Sequence, residues 1–260
     1  MLLNNTQFRK VKKLTGQAVA DFSMIDDGDR IAVAVSGGKD SYTLLHILDQ
    51  LRRRAPIQFE LIAVNVDAGF PGYREDILEG YLRGCGFQVH MESVDCAQII
   101  AEKLRPGSSY CAFCARLRRG ILYTVADRIG CNKIALGHHL DDFIETLLLN
   151  QFYVGTLAAM SPKLLADSKR HTLIRPLVYV EEADIIRVAQ QNAFPIIDCG
   201  CPMMGQQDQK RQRIKRLITE LHKENRSMKR SMIRSLSNVR PRHLLDLEMI
   251  RLMEMDGQNS

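Results

Sequence analysis

The stretch Arg30–Leu48, RIAVAVSGGKDSYTLLHIL, leaves few folds open to this chain. Ile31, Ala32, Val33, Ala34 and Val35 form a short β-prone run, and Tyr42, Leu44, Leu45, Ile47 and Leu48 recur at helical spacing. The join between them therefore reads as strand, tight glycine turn, helix. A helix N-terminus carries unpaired N–H groups and a partial positive charge, and it attracts anions. Gly37 and Gly38 let the backbone approach such an anion, Lys39 adds a mobile cation, and Ser36 and Ser41 add hydroxyl donors. The six residues Ser36 to Ser41 read as a phosphate cradle. Their spacing differs from the G-x-x-x-x-G-K-[ST] loop of mononucleotide-binding proteins.

The rest of the chain repeats the alternation. Residues 4–24 read as a basic-led helix, 30–35 and 59–67 as strands, 74–84 as a helix closed by Gly84 and Gly86. Residues 87–94 alternate as a strand, a helix runs from Cys111 to Gly130, 133–139 form a fourth strand, and LDDFIETLLLNQFY is a helix. HTLIRPLVYV adds an edge strand and EEADIIRVAQQN a helix. Strands alternating with helices imply an α/β fold, a parallel sheet with helices on both faces. The organisation read from this pattern is a basic helical segment over 1–27, an α/β body over 28–195, and a cysteine-containing turn with a basic helical appendage over 196–260.

Ligands of open parallel sheets bind at the carboxyl ends of the strands. Three suspicious stretches fall there: Ser36 to Ser41, then Asn65-Val66-Asp67, then Gly137-His138-His139. In GHHLDDFIET, Asp142 and Glu145 share a helix face. Acidic residues in a first turn also stabilise any helix, which serves as well to explain Asp141. A polyphosphate site needs Mg²⁺ held by one or two carboxylates, and Asp40 and Asp142 are the candidates.

Charge and cysteine usage bound the partners. The chain of 260 residues has a net charge of +6, yet Lys210 to His243 alone holds twelve Lys and Arg against two Glu. Such a segment suits a polyanion; a solvated helix face is the plainer explanation. No apolar run reaches the ~18 residues of a membrane helix, and Met1 to Lys13 is polar and basic, so the expectation is a cytoplasmic protein without membrane association. Seven cysteines in a reducing compartment argue for metal or redox chemistry where they pair. Cys111 and Cys114 form C-x-x-C, and Cys199 and Cys201 lie far downstream in DCGCPM. The pairs suit a zinc site, an iron–sulfur cluster or a dithiol. Cys85, Cys96 and Cys131 stand singly and read as small buried apolar residues.

SGGKDS after a strand resembles the pyrophosphatase loop (PP-loop) of the N-type ATP pyrophosphatases, whose fold is the adenine nucleotide α-hydrolase-like one, and GHHLDD resembles their second motif. Together with the C-x-x-C, the cysteine beyond FPII and the tail SLSNVRPRHLLD, these are similar to the tRNA 2-thiocytidine synthetase family over roughly residues 10–247. The resemblance implies ATP-dependent adenylation of the C2 oxygen of an anticodon-loop cytidine, then replacement of that oxygen by sulfur. It implies ATP, Mg²⁺ and a [4Fe–4S] cluster held by Cys111, Cys114 and one of Cys199 or Cys201. It implies catalytic roles for Lys39, Asp40, Ser41 and Asp142, and ATP binding by Ser36, Gly37, Gly38, Lys39, Asp40, Ser41, Asn65, Val66, Asp67, Gly137 and His138. It implies tRNA as the substrate, a cysteine desulfurase or another sulfur donor as a partner, and is compatible with a homodimer. The alternatives are a 2-thiouridine or lysidine synthetase of the same superfamily, or a non-catalytic module that binds ATP and metal.

Overall fold

The computed structural model describes residues 5–105, 109–198, 200–201 and 209–251. Helix α1 (Thr6–Asp21) starts where the Asn5 side chain accepts a hydrogen bond from the Phe8 N–H at 2.8 Å, and it buries Phe8, Val11, Thr15 and Ala18 along one stripe. Strand β1 (Arg30–Ala34) leads into α2 (Lys39–Arg52), β2 (Glu60–Asp67) into α3 (Glu75–Gly84), and β3 (Gln88–Ser93) into α4 (Cys96–Lys103) and α5 (Tyr110–Arg128). Then follow β4 (Lys133–Ala135), α6 (Leu140–Tyr153), β5 (Lys163–Leu165), β6 (Thr172–Ile174), α7 (Glu182–Gln191), α8 (Gln209–Glu224) and α9 (Met228–Ser235).

Six strands form one sheet in the order β3-β2-β1-β4-β6-β5. Register places Ala32 beside Ile62 on one side and beside Ile134 on the other. Side chains alternate across a strand. Ala32, Ile62, Val64, Ile134 and Leu173 face Leu122, Val125 and Ala126 of α5. Ile31, Val33 and Ala63, all fully buried, face the other layer, where α2 packs on β1 and β2 with α1 and α7 outside it. Helices thus cover both faces of the central strands, which explains why these strands read as continuous apolar runs.

Three differences from the sequence reading have local causes. The strand over 133–139 stops at Ala135: Leu136 donates the last ladder bond, to the Ile174 carbonyl, and the chain then turns through Gly137 into α6. Thr172–Ile174 is not the edge: it pairs parallel to β4, and the edge is β5, which pairs with it antiparallel through a tight turn. The sheet is therefore parallel in five strands and antiparallel in the sixth. Helix α4 has no acidic first turn to announce it, but the Asp95 side chain caps it by accepting from the Gln98 N–H at 2.9 Å.

Chain order reverses between β1 and β4, and the helices after these two strands, α2 and α6, start side by side at that reversal. This is where an open α/β sheet forms its ligand crevice. The chain divides into two compact units, Met1–Ile214 and Lys215–Ser260.

Candidate active site

The loop between β1 and α2 is closed by its own hydrogen bonds. Val35 donates to the Val64 carbonyl at 2.8 Å and accepts from the Asn65 side-chain amide at 2.7 Å, which fixes where the chain leaves the sheet. The Ser41 hydroxyl accepts from the Ser36 N–H at 3.3 Å and donates to the Gly38 carbonyl at 2.9 Å. Gly37 sits at φ +83°, and its carbonyl accepts from the Ile197 N–H at 3.0 Å. Gly38 caps α2 with no side-chain hydrogen bond, so no side chain covers the first N–H groups of the helix. The glycine turn expected from sequence is present, and its donors are backbone groups.

Charge gathers around this turn. The Lys39 ammonium lies 3.1 Å from Asp40 and 3.0 Å from Glu182 at the start of α7. Burial alone would lower the pKa of Lys39, but the two carboxylates outweigh it and the net shift is upward. His139, 3% exposed, stands among acids, its Nε2 3.7 Å from Asp40, 3.5 Å from Asp142 and 4.0 Å from Glu182. Burial pushes the Asp40 carboxyl up, against the pull of Lys39 and His139. Asp40 Oδ1 is buried with no hydrogen-bond partner. A carboxylate oxygen in that position, next to Asp142, fits the donor set of a hard divalent cation such as Mg²⁺.

Asp142 has a second partner that the sequence did not announce. One oxygen accepts from the His139 N–H at 3.0 Å, and the other accepts from Arg211 at 3.0 Å. Arg211 also donates to Glu145 at 2.7 Å, so the shared face of Asp142 and Glu145 is real and occupied. Arg211 was counted among the basic residues facing a polyanion; its guanidinium instead joins the first turn of α8 to the acids of α6. Asp141 does not cap its own helix: it accepts from the Glu182 N–H at 2.7 Å and so docks α7 on α6.

A cavity of about 230 Å³ opens beside the loop, lined by Val35, Ser36, Val64, Val66, Leu136 and His138 on the sheet side. Ala115, Arg118, Arg119 and Leu122 of α5, with Arg175, form the facing wall. Strand alternation sends Val64 and Val66 into this space and Asn65 away from it. Asn65 is 1% exposed; besides Val35 its amide donates to the Tyr73 hydroxyl at 2.6 Å, so it braces the loop from behind. Asp67 accepts from the Gly69 N–H in the following turn at 2.9 Å. His138 accepts from Arg175 at 3.2 Å, and burial with the nearby Arg175 charge lowers its pKa to about 4, so the ring is neutral at pH 7. The sequence pattern does not single out Arg118, Arg119, Arg175 or Glu182. The signals were present: R-L-R-R at helical spacing after C-x-x-C, and two glutamates opening the helix after VYV.

The thiols lie at the other end of α5. Ser109 caps that helix, and Cys111 and Cys114 fall on its first two turns, the former exposed and the latter buried. Cys114 packs with Cys96, Ala68, Phe70 and Ile100, and Cys201 packs against the same cluster. The Tyr110 hydroxyl is raised by burial and by the thiols of Cys201, Cys114, Cys111 and Cys96 around it. Three soft donors brought near one another suit iron or zinc. Among the described residues no three His, Cys, Asp or Glu side chains are already drawn together tightly enough to hold a metal ion. Cys199 and Pro202 lie outside the described residues. Cys96 and Cys131 are buried as expected, but Cys85 is exposed, because it follows the last turn of α3 on the surface. The peptide before the turn is held to the phosphate loop: Tyr42 donates to the Pro195 carbonyl at 3.1 Å, two residues before the Ile197–Gly37 bond. In the second unit, α9 buries no side chain and carries Lys229, Arg230 and Arg234. Among the described residues no helix is long and apolar enough to cross a membrane.

Comparison with known proteins agrees with this geometry. Residues 3–221 match the model of the PP-loop domain family. The chain is 67% identical over 245 residues to a tRNA-cytidine(32) 2-sulfurtransferase of Syntrophotalea carbinolica, covering 94% of this chain and 95% of the relative. It is 61% identical over 253 residues to the tRNA-cytidine(32) 2-sulfurtransferase of Geobacter sulfurreducens, covering 97% and 98%. Among solved structures, the U34-tRNA thiolase NcsA from Methanococcus maripaludis with its [4Fe-4S] cluster has a similar fold, with a TM-score of 0.72 at 21% identity, over 89% of this chain and 78% of that one. A nucleotide crevice at the chain reversal, a thiol-bearing helix along its wall and relatives matching nearly end to end lead to one conclusion: the chain belongs to the PP-loop family and, within it, to the tRNA-cytidine(32) 2-sulfurtransferases.

Proposed function

We propose that the chain replaces the C2 oxygen of a tRNA anticodon-loop cytidine with sulfur, using ATP and releasing AMP and pyrophosphate. The observation that carries this reading is α5, which bears Cys111 and Cys114 at its start and, one turn on, walls the cavity whose opposite wall begins at Ser36. One rigid helix thus links the thiols to the phosphate loop.

The adenosine of ATP fits the apolar cavity between Val64, Val66 and Leu136. The pyrophosphate end lies on Gly37, Gly38 and Ser41, with Lys39 and the free N–H groups of α2 stabilising charge as it builds there. The cytidine O2 attacks the α-phosphorus, and the bond to pyrophosphate breaks. Sulfur then attacks C2 and AMP leaves. Mg²⁺, where bound, neutralises the polyphosphate; Asp40 and Asp142 would hold it, Asp142 exchanging Arg211 for the cation. Cys111, Cys114 and Cys201 would hold a [4Fe–4S] cluster, which, with three protein ligands, supplies an iron open to a sulfur atom. Arg118 bonds the Val66 carbonyl at 3.3 Å and keeps α5 seated over the cavity. The basic segment beyond Lys210 takes tRNA phosphates, and the protein works in the reducing cytoplasm.

Anaerobically purified protein tests this reading directly. It should show the broad charge-transfer absorption of an iron–sulfur cluster and should convert cytidine to 2-thiocytidine in a tRNA transcript given ATP, Mg²⁺ and sulfide. A colourless zinc protein, or transfer of lysine in place of sulfur, would overturn it.

A further inference from the structure

A second groove adjoins the nucleotide cavity. Its volume is about 560 Å³, and Arg119 and Arg175 line both spaces, so they form the partition between them. Behind the partition stand Tyr123 and Thr124 of α5, and His171 and Arg170 beside the β5–β6 turn.

Two features of this groove are unexplained by folding alone. The first is charge. Arg175 is 7% exposed and donates to His138 and, at 2.5 Å, to the Ser161 carbonyl, both neutral acceptors. Neither Arg175 nor Arg119 has a carboxylate partner among the described residues. The two stand close enough that Arg119 disfavours the charged form of Arg175, with burial the larger cause. Two neighbouring guanidiniums without a counter-charge ask for an anion, and their planar forks match a phosphate. Neither carboxylate in the groove serves them: Asp127 is paired with Arg170 at 2.8 Å and with His171 at 3.4 Å, and Asp167 forms no ion pair with either arginine among the described residues. The second feature is an aromatic surface. The Tyr123 ring lies 5.9 Å from that of His171, tilted by 30°, and His171 Nδ1 is buried with no hydrogen-bond partner. A π-face beside a pair of arginines is the pattern that holds an unpaired nucleotide, base on the ring and phosphate on the cations.

We propose that this groove binds a single-stranded nucleotide of the RNA substrate that flanks the cytidine being modified, with its phosphate on Arg119 and Arg175 and its base on Tyr123. The proposal rests on the thiolation reading above. The groove is on the correct side for it, because Arg119 already borders the nucleotide cavity and Tyr123 is one helical turn further along α5. A nucleotide seated there would set which cytidine enters, a role the ATP site cannot perform.

Binding of an unmodified tRNA transcript, measured at several salt concentrations, tests the proposal with Arg119→Glu, Tyr123→Ala and Tyr123→Phe; ATP affinity is measured in parallel. Arg119→Glu should weaken tRNA binding about tenfold and flatten its salt slope by about one phosphate contact. Tyr123→Ala should cost about tenfold, and Tyr123→Phe, which keeps the ring, should stay within about twofold of wild type. ATP affinity should stay within about twofold in both Tyr123 variants, whose side chain lines only the second groove. Equal losses of ATP and tRNA affinity would assign the arginines to ATP and overturn the proposal, as would unchanged tRNA binding in variants of a wild type that binds. A wild type that fails to bind tRNA would overturn the thiolation reading, and this proposal with it.

Discussion

The phosphate loop and the thiol site lie at two ends of one crevice and are built in opposite ways. Ser36 to Ser41 are contiguous, and their positions follow from backbone bonds: Val35 to β2, Ser36 to Ser41, Gly37 to Ile197. Cys111 and Cys114 sit on a helix, and Cys201 arrives some ninety residues later on a turn that no strand or helix holds. The loop is thus local chemistry on a pre-formed scaffold. The thiol site is an assembly, held by the packing of Cys201 against the apolar cluster that contains Cys114 and by two tethers of the Pro195–Ile197 peptide to the loop. A backbone-built site tolerates side-chain loss in its frame and fails when its charge is removed. A packed site fails when its shape changes.

The sharpest division between the two ends should come from Lys39. Among the described residues its ammonium pairs with Asp40 and Glu182, both carboxylates of the site. Lys39→Ala should lower AMP formation by about 10²–10³-fold, the range for removing one preorganised electrostatic donor, while iron content and thermal unfolding stay as in the wild type. Loss of iron along with activity would show that the ends are one cooperative unit, and the contrast would be false.

Cysteine replacements divide the thiol end internally. Cys201→Ala should abolish the iron–sulfur absorption. Cys96→Ala should retain it, even though Cys96 is fully buried in the same apolar cluster. Iron and sulfide counts on both proteins decide this. Retention in Cys201→Ala would move the third ligand to Cys199.

The sequence was legible where physics is local. SGGKDS specified its turn because Gly, Ser and Lys act through the adjacent backbone, and α6 runs from Leu140 to Tyr153, as the apolar period of LDDFIETLLLNQFY required. The sites assembled at a distance were not legible. Glu182 reaches Lys39 because Asp141 docks α7 on α6, and Arg211 reaches Asp142 from the first turn of α8; no spacing in the chain encodes either contact. Asn65 stands at a strand end, where the resemblance expects an ATP-binding residue, and the period of two turns its side chain behind the loop, onto the Val35 carbonyl. The edge strand β5 was missed because three residues carry too little pattern, and both Leu164 and Leu165 face solvent.

Two glycines, one at each end, give the finest test of the contrast. Gly200, between Cys199 and Cys201, sits at φ +62°, and a methyl group there would come within 2.6 Å of the Pro71 carbonyl oxygen. Backbone cannot yield that far, so Gly200→Ala should displace Cys201 and cut iron occupancy severalfold while ATP binding persists. Gly137 has no such φ requirement, and its added methyl would meet the Asp40 carbonyl carbon at 3.2 Å and the Ser41 nitrogen at 3.3 Å. That contact is tight but can relax by a few tenths of an ångström at a cost of ~1–3 kcal/mol, typical of overpacking. Because the neighbours are the backbone of the phosphate loop itself, the strain falls on ATP. Gly137→Ala should raise the KM for ATP severalfold, leave iron occupancy unchanged and lower the unfolding temperature slightly. Gly80→Ala on α3, where a methyl meets nothing within 4 Å, is the control and should stabilise the helix by ~0.5–1 kcal/mol. Should Gly137→Ala lose iron while Gly200→Ala weakens ATP binding, the assignment of the two ends would be reversed, and the phosphate loop would depend on the assembled turn rather than on its own backbone.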